Sequence, residues 1–220
     1  MLLSFEKELL AKKIKYIAGV DEVGRGCLAG PMVVGAVILN SDHLREVLLN
    51  NDVSCPKNLE QYAQIKDSKK LTPKKRKELS DFIKVNAISY SIEIIESTKL
   101  DEWGISKSTQ IGFFNAVHNL ATAPDHILTD AFAIKTLPPE VQTNIVGGDN
   151  LSITIAAASI VAKVFRDELM VSLHNNYKEY KKYAFDQHKG YGTHKHLEAI
   201  RQYGICDLHR KSFAPISEMV

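Results

Sequence analysis

Apolar positions alternate with other residues near the start of the chain, where residues 14–21 form the first predicted strand. Ile17, Gly19 and Asp21 share one face of this strand, so a charge lies at the end of a row of buried positions. A buried carboxylate is costly unless it gains a cation, hydrogen bonds or a proton. Asp21 is therefore either a structural residue, in a salt bridge or a turn cap, or part of a functional site.

A glycine-rich turn follows Asp21 and Glu22, and a second apolar run over residues 30–39 predicts the next strand. The turn is too short for a parallel crossover, so these two strands are expected to be antiparallel. Strands that alternate with helices indicate an α/β fold, with a mixed central sheet flanked by helices and a helical C-terminal part. The further predicted strands cover 87–96, 126–130 and 141–146, and the helices cover 43–49, 72–84, 106–121 and 152–174.

Two more acids occupy positions where ligands gather in such sheets. Asp130 ends the apolar strand 126–130, and Asp149 lies just before the helix of residues 152–174. That helix is apolar all round, which predicts burial, and its alanines would let it approach the sheet closely. Asp149 alone could equally be a partner for the dipole of this helix. If the strands that carry Asp21 and Asp130 are parallel neighbours, these acids converge.

Four carboxylates at one place repel each other unless cations neutralise them. An all-oxygen ligand set favours Mg²⁺ or Mn²⁺ over zinc. Two such ions are the usual apparatus for hydrolysis of a phosphodiester bond. The sequence therefore indicates a nuclease-like site at the carboxyl ends of the strands.

Composition and charge agree with a protein that meets phosphates. The chain has 220 residues, of which 45% are apolar and 25% are charged, enough for one sizeable core. The net charge is only +2, but residues 66–77 hold seven basic side chains against one acid, and a second basic cluster covers 188–211. Such clusters are also common on solvated surfaces. Three widely spaced cysteines, with no secretory signal and no apolar run of membrane length, predict a cytoplasmic protein without a membrane partner.

Motifs in order along nearly the whole chain resemble the ribonuclease HII family. They are Asp-Glu-Val-Gly-Arg-Gly-Cys-Leu-Ala-Gly-Pro at 21–31, Asp-Ser-Lys-Lys-Leu-Thr at 67–72, the alanine-rich segment at 148–167, His-Lys-Gly-Tyr-Gly-Thr at 188–193 and His-Arg-Lys-Ser-Phe at 209–213. The resemblance implies a ribonuclease H-like catalytic domain over residues 1–171. It further implies a helical substrate-binding segment over residues 172–220, packed on the same domain.

The resemblance also implies an activity. The protein would be an endoribonuclease that hydrolyses the RNA strand of RNA–DNA hybrids and incises duplex DNA 5′ to embedded ribonucleotides. The products would carry 5′-phosphate and 3′-hydroxyl ends, and two Mn²⁺ or Mg²⁺ ions would act in the reacting complex. We expect a monomer.

Site residues are carried over position by position from the same motifs. The catalytic, metal-binding carboxylates would be Asp21, Glu22, Asp130 and Asp149. The turn that reads the 2′-hydroxyl and its flanking phosphates would be Gly24, Arg25 and Gly26. Tyr191 would stack on the deoxyribose next to the RNA–DNA junction, unless it is only a surface aromatic. The expected phosphate contacts are Lys69, Lys163, Lys189 and Arg210, although Lys163 could simply pair with Asp167 on its helix.

Some features depart from the family pattern, and other functions stay open at this point. Ala131 follows Asp130 where the family usually has glycine, Cys27 replaces a usual proline, and the 45–64 connection is longer than usual. The alternatives are ribonuclease HIII, which typically carries an extra N-terminal domain, a non-catalytic nucleic-acid-binding module, and a metal-dependent phosphohydrolase of small substrates. The complete acidic set argues against a mere binding module, since acids alone weaken contact with phosphate.

Overall fold

A five-stranded mixed sheet forms the centre of the computed structural model, which describes residues 3–49 and 57–219. The strands are β1 (Ile17–Val23), β2 (Met32–Ile38), β3 (Ser89–Ile95), β4 (His126–Asp130) and β5 (Gln142–Ile145). Their spatial order is β3-β2-β1-β4-β5. β1 is antiparallel to β2 and parallel to β4, which confirms the mixed sheet. The strands that carry Asp21 and Asp130 therefore lie side by side.

Helices cover both faces of the sheet. One apolar cluster joins the helices at 4–11, 73–86 and 153–176 to one face, and a second joins the helix at 97–118 to the other face. In the same described ranges, none of the helices combines the length and the apolar character that a membrane crossing requires. The helices are α1 (Ser4–Ala11), α2 (Ser41–Leu49), α3 (Lys57–Ala63), α4 (Pro73–Asn86), α5 (Ser97–His118), α6 (Ile153–Asn176), α7 (Phe185–His188) and α8 (His194–Tyr203).

Helix α6 lies directly against the sheet, as its alanines predict. A side-chain carbon at Gly19 would lie 2.0 Å from the backbone of Thr154, and one at Gly35 would lie 2.6 Å from the carbonyl oxygen of Ala158. Only glycine at these strand positions leaves room for the helix. This close approach brings the start of α6, and the acid that precedes it, to the ends of β1 and β4.

Glu6 fixes the same end of α6 from the unpredicted helix α1. Its buried carboxylate accepts hydrogen bonds from the N–H of Thr154 at 3.1 Å and from the hydroxyls of Ser152 and Thr154 at 2.6 and 2.9 Å. A carboxylate at a helix N-terminus satisfies free N–H groups and complements the helix dipole. The beginning of the chain therefore helps to anchor the segment that leads into α6.

Several element boundaries differ from the sequence-based expectation. β1 continues past Asp21 to Val23, because Glu22 and Val23 keep pairing with β2. Helix α5 begins at Ser97 and contains a kink at Gly104, where φ is +75°. Helix α3 was not predicted. The segment around Pro56, for which the sequence predicts a loop, lies outside the described residues.

The C-terminal segment packs against α6. Tyr180, Tyr183, Phe185 and Ala199 form an apolar cluster with Met170 of α6. The expected boundary after residue 171 falls within α6, so the helix that supports the sheet also supports the C-terminal segment.

Candidate active site

The four predicted carboxylates come together at one edge of the sheet. Asp21 and Glu22 are consecutive residues of β1, and Asp130 ends the neighbouring parallel strand β4. Asp149 lies in a short 3₁₀ turn just before α6. The charges of the other three acids all act on Asp21, so side chains from three distant parts of the sequence share one electrostatic environment.

Burial and mutual repulsion disfavour the ionised forms of these acids. Burial raises the pKa of Asp21 well above its usual range, and the charge of Glu22 raises it further. Burial raises the pKa of Glu22 to about 7, against the opposing effect of the Arg25 charge. The pKa of Asp130 is raised by burial too. A bound divalent cation would reverse this effect, because it stabilises carboxylates over carboxylic acids.

Local contacts hold the two later acids in place. The N–H of Gly148 donates to Oδ1 of Asp130 at 2.7 Å, which joins the end of β4 to the turn before α6. Asn150 Nδ2 donates to Oδ1 of Asp149 at 2.8 Å. Lys69 Nζ lies 3.7 Å from Oδ2 of Asp149, and because the lysine is exposed while the acid is buried, this cation reaches the site from the solvent side.

Asp21, Glu22 and Asp130 line an open cleft of about 860 Å³. Within the described parts of the chain, the buried Oε2 of Glu22 has no hydrogen-bond partner, an arrangement that requires a cation or a proton. Among residues 3–49 and 57–219, no group of three or more Asp, Glu, His or Cys side chains is placed so that it could hold a metal ion by itself. The other residues that line the cleft are Val23, Gly24, Arg25, Gly26, Ser68, Lys69, Arg76, Ile105, Ser159, Lys163 and Tyr191.

The turn over residues 24–26 borders the acids directly. Gly24 has a φ of +84°, and a Cβ there would lie 2.1 Å from Nε of Arg166, so both the conformation and the packing require glycine. Around Gly26 nothing lies within 4 Å of the place where a side chain would begin, so its backbone is open to a ligand. The Arg25 guanidinium lies 4.5 Å from the ring centre of Phe132.

Tyr191 lines the same cleft, with 38% of its surface exposed. Lys163 Nζ lies 5.2 Å from the centre of its ring. Burial raises the pKa of the Tyr191 hydroxyl to about 12, and the nearby thiol of Cys27 contributes to this rise. The ring is therefore neutral.

The expected phosphate contacts occupy different environments. Lys69 and Lys163 line the cleft, and Lys163 also makes the ion pair with Asp167, at 2.8 Å. Lys189 is half-buried and its ammonium donates to the carbonyl oxygen of Asp186. It borders an adjoining cavity of about 400 Å³ rather than the acidic cleft.

The expectation for Arg210 is wrong. Its side chain is completely buried, and its guanidinium donates to the carbonyl oxygens of Gly30 and Arg25. Burial lowers its pKa to about 10. A guanidinium whose donors are spent on backbone carbonyls inside the protein does not face a substrate phosphate.

Three residues that line the cleft were not predicted from the sequence: Arg76, Ser68 and Ser159. Arg76 of α4 donates from Nε to the carbonyl oxygen of Ser68 at 2.7 Å and from Nη2 to that of Leu71 at 2.9 Å, and so holds the segment that carries Lys69. The hydroxyls of Ser68 and Ser159 lie 3.0 Å apart. The only signal for Arg76 was its place in the basic run, where it resembles its solvated neighbours.

The departure at Ala131 has a measurable cost. Ala131 has a φ of +56°, in the left-handed region that favours glycine. We expect Ala131→Gly to raise the free energy of unfolding by about 0.5–1 kcal/mol, because the left-handed penalty exceeds the entropy that glycine adds to the unfolded chain. Urea unfolding measures this change, and Ala133→Gly, where φ is not positive, is the matched control that should destabilise the protein. A lower stability of Ala131→Gly would contradict the strain.

Solved structures share this arrangement of sheet and helices. The ribonuclease H2 of Pyrococcus horikoshii OT3 aligns with a TM-score of 0.70 and 22% identity, over 93% of this chain and 96% of that chain. The PCNA:RNase HII complex of Archaeoglobus fulgidus gives 0.66 and 23%, over 88% and 91%. Bst-RNase HIII in complex with Mn²⁺ gives 0.63 and 19%, over 96% and 71%. The fold is therefore that of the ribonuclease H class, as the sequence predicts.

Sequence comparison identifies the family within this class. The family model for ribonuclease HII matches residues 18–216. Ribonuclease HII of Bacillus cereus (strain B4264) is 44% identical over 216 residues, which cover 98% of this chain and 76% of the relative, and that of Bacillus cytotoxicus is 44% identical over 98% and 75%. The chain belongs to the ribonuclease HII family. It is a metal-dependent endoribonuclease of a family that acts on RNA–DNA substrates.

Proposed function

We propose that this protein hydrolyses the RNA strand of RNA–DNA hybrids and incises duplex DNA 5′ to an embedded ribonucleotide. A two-metal-ion mechanism would leave 5′-phosphate and 3′-hydroxyl ends. The observation that carries the proposal is that Asp21, Glu22 and Asp130 line one cleft with the glycine turn and Tyr191, while the charge of Asp149 acts on Asp21 from beside it. The acids suit the chemistry at phosphorus, and the turn and the tyrosine suit recognition of the sugar.

The acidic part of the cleft fits divalent ions, and Asp21, Glu22, Asp130 and Asp149 would hold Mn²⁺ or Mg²⁺. The oxygen of Glu22, which has no partner among the described residues, and the raised pKa values both indicate carboxylates that a bound cation would stabilise. Mg²⁺ usually takes one or two protein carboxylates together with water and substrate phosphates, so an open cleft suits it without a closed cage. When bound, such ions lower the pKa of water and neutralise charge at the leaving oxygen.

The turn of residues 24–26 and Tyr191 would recognise the ribonucleotide in the same cleft. The open backbone at Gly26 and the guanidinium of Arg25 suit a 2′-hydroxyl and its flanking phosphates, and the 2′-hydroxyl is the group that distinguishes RNA from DNA. Tyr191 offers a neutral, partly exposed ring for stacking on the neighbouring deoxyribose. Lys69 and Lys163 would contact phosphates in the cleft, with Lys189 beside it. One chain supplies every group, which supports a monomer as the active form.

A set of cleavage reactions tests the proposal. A labelled DNA duplex with a single ribonucleotide is mixed with the protein in Mn²⁺, in Mg²⁺, and in either ion with excess chelator, beside an all-DNA duplex and a long RNA–DNA hybrid. We expect one cut 5′ to the ribonucleotide, a 5′-phosphate on the downstream product, no cut in the all-DNA duplex and no cut with chelator. Cleavage that persists in chelator would refute the metal chemistry. Cleavage of the hybrid alone would refute incision at embedded ribonucleotides.

The raised pKa of Glu22 predicts how metal binding and stability depend on pH. Without divalent ions, the folded protein holds more protons than the unfolded chain between the usual Glu pKa of 4.5 and about 7, so the free energy of unfolding falls as the pH rises through this window. Mn²⁺ binds the ionised carboxylates, so it should raise the Tm more at pH 8 than at pH 5. Thermal unfolding of the wild type and of Glu22→Gln, with and without Mn²⁺, measures both effects. The variant should lose the part of the pH dependence that Glu22 contributes, while Asp21 and Asp130, whose pKa values are also raised, keep the rest. A metal-induced shift that is equal at both pH values would contradict the prediction.

A further inference from the structure

Two arginine side chains are completely buried beside the recognition turn of residues 24–26. Neither Arg166 of α6 nor Arg210 has measurable exposed surface. Nε of Arg166 donates to the carbonyl oxygen of Pro31 at 2.8 Å. Its Nη1 and Nη2 donate to the carbonyl oxygens of Lys189 at 2.8 Å and Ala29 at 3.1 Å. One guanidinium therefore links the segment after the turn to the residue that lies two positions before Tyr191.

Arg210 holds the turn itself. Its Nε and Nη2 donate to the carbonyl oxygen of Gly30 at 2.9 and 2.8 Å, and its Nη1 donates to that of Arg25 at 2.9 Å. In the described part of the chain, every hydrogen-bond acceptor of these two guanidinium groups is a backbone carbonyl oxygen, and no acceptor is a carboxylate. Burying two cations without a carboxylate partner costs free energy of folding, and apolar residues of similar volume would fill the same space at a lower cost. The arrangement therefore indicates a task beyond packing.

The turn and the segment that carries Tyr191 share these buried contacts. A Cβ at Gly24 would lie 2.1 Å from Nε of Arg166, so this side chain packs directly against the turn. The guanidinium carbon of Arg166 also lies 5.7 Å from the centre of the Tyr191 ring. The N–H of Leu28 donates to the carbonyl oxygen of Gly190 at 2.9 Å, which ties the two segments together through the backbone. A shift of Arg166 would therefore change the spacing between the turn and the ring.

We propose that Arg166 and Arg210 are positioning residues that hold the 24–26 turn and Tyr191 at a fixed separation and so set the selectivity for an RNA–DNA junction. The inference rests on the proposed function, in which the turn reads the 2′-hydroxyl and the ring reads the next deoxyribose. A junction is recognised only if both contacts form at the same time. Arginine suits this task because its planar fork donates in several fixed directions, which the ammonium of lysine does not reproduce.

Arg166→Lys tests the proposal, because it keeps the charge and removes the fork. We expect kcat/KM on the single-ribonucleotide duplex to fall at least about tenfold more than kcat/KM on a long hybrid, since small displacements of positioning groups have large effects on rate. Both values come from the same preparation, so the fraction of active protein cancels in their ratio. Ile160→Val, a buried change in the same helix, is the matched control, and it should lose about 1 kcal/mol of stability without a change in the ratio.

Arg210→Lys is a second, independent variant, because this arginine contacts the turn and not the residues around Tyr191. It should lower the same ratio, and it decides the question if Arg166→Lys does not fold. An unchanged ratio in a folded variant overturns the proposal, and so does a failure of both variants to fold, since the arginines would then be structural. A wild-type protein that cuts the hybrid but not the single-ribonucleotide duplex would overturn the proposed function instead, so the two failures are distinguishable.

Discussion

Asp21→Asn is expected to abolish cleavage while it makes the metal-free protein more stable. Loss of a metal ligand should lower the cleavage rate at least about 10³-fold, since a catalytic metal contributes several kcal/mol to stabilisation of the transition state. The gain in stability follows from the raised pKa of Asp21, whose charge is disfavoured by burial and by three neighbouring acids. Asparagine keeps the shape of the side chain and removes the charge.

The cleavage rate and the stability of the variant together separate a metal ligand from a structural carboxylate, and hybrid binding shows whether the substrate still binds. Cleavage is measured on a long hybrid with Mn²⁺, hybrid binding by fluorescence anisotropy, and the Tm in chelator at pH 8. The control is Asp81→Asn, an exposed acid of α4 in an ion pair with Lys77, which should change neither cleavage nor stability appreciably. A lower Tm for Asp21→Asn would show that the carboxylate stabilises the fold, and retained turnover would exclude it as a ligand.

Periodicity predicted the five strands and the buried faces of α4, α5 and α6, but not helices α1 and α3. Ile17 packs in the apolar cluster with α6, while Ala18 and Val20 pack in the cluster with α5, as the alternation requires. The end of β1 was missed because Asp21 and Glu22 break the apolar pattern, although their backbone continues the ladder with β2. Acids inside a strand resemble the end of a strand when only the sequence is known.

The start of α5 was missed for a comparable reason. The sequence between Ser97 and Gly104 lacks the apolar repeat that marks residues 106–121, and Gly104 has a non-helical conformation. Two helical pieces meet at this kink, and only the second has the periodic pattern of a buried face. Ser97 and Leu100 are the buried residues of the first piece, too few to show a periodic pattern.

The surroundings of individual charged side chains could not be predicted from the sequence. Lys69 and Arg210 both lie in basic surroundings in the sequence, and both were expected at phosphates. Lys69 reaches the cleft from solvent, whereas Arg210 is buried against the carbonyl groups of an irregular segment. Charged side chains are rarely buried, so the pattern favours the surface for each of them. Their different roles depend on which backbone groups lack partners, which the sequence does not reveal.

Tyr191→Ala is expected to impair incision at a single ribonucleotide about ten- to hundredfold, the effect of losing one stacked contact of about 1–3 kcal/mol. A long hybrid should suffer less. A single embedded ribonucleotide allows only one productive register of the substrate in the cleft, so a lost positioning contact acts with full effect. A hybrid offers many registers, and the phosphate contacts from Lys69 and Lys163 remain.

Tyr191→Phe is the matched control for this prediction. Phenylalanine keeps the ring beside Lys163 and loses only the hydroxyl near the thiol of Cys27, so both substrates should be cut nearly as well as by the wild type. Steady-state kcat/KM values on the two substrates measure the difference. Equal losses on both substrates in Tyr191→Ala would refute stacking at the junction, because damage to the fold or to the metal site lowers both rates together.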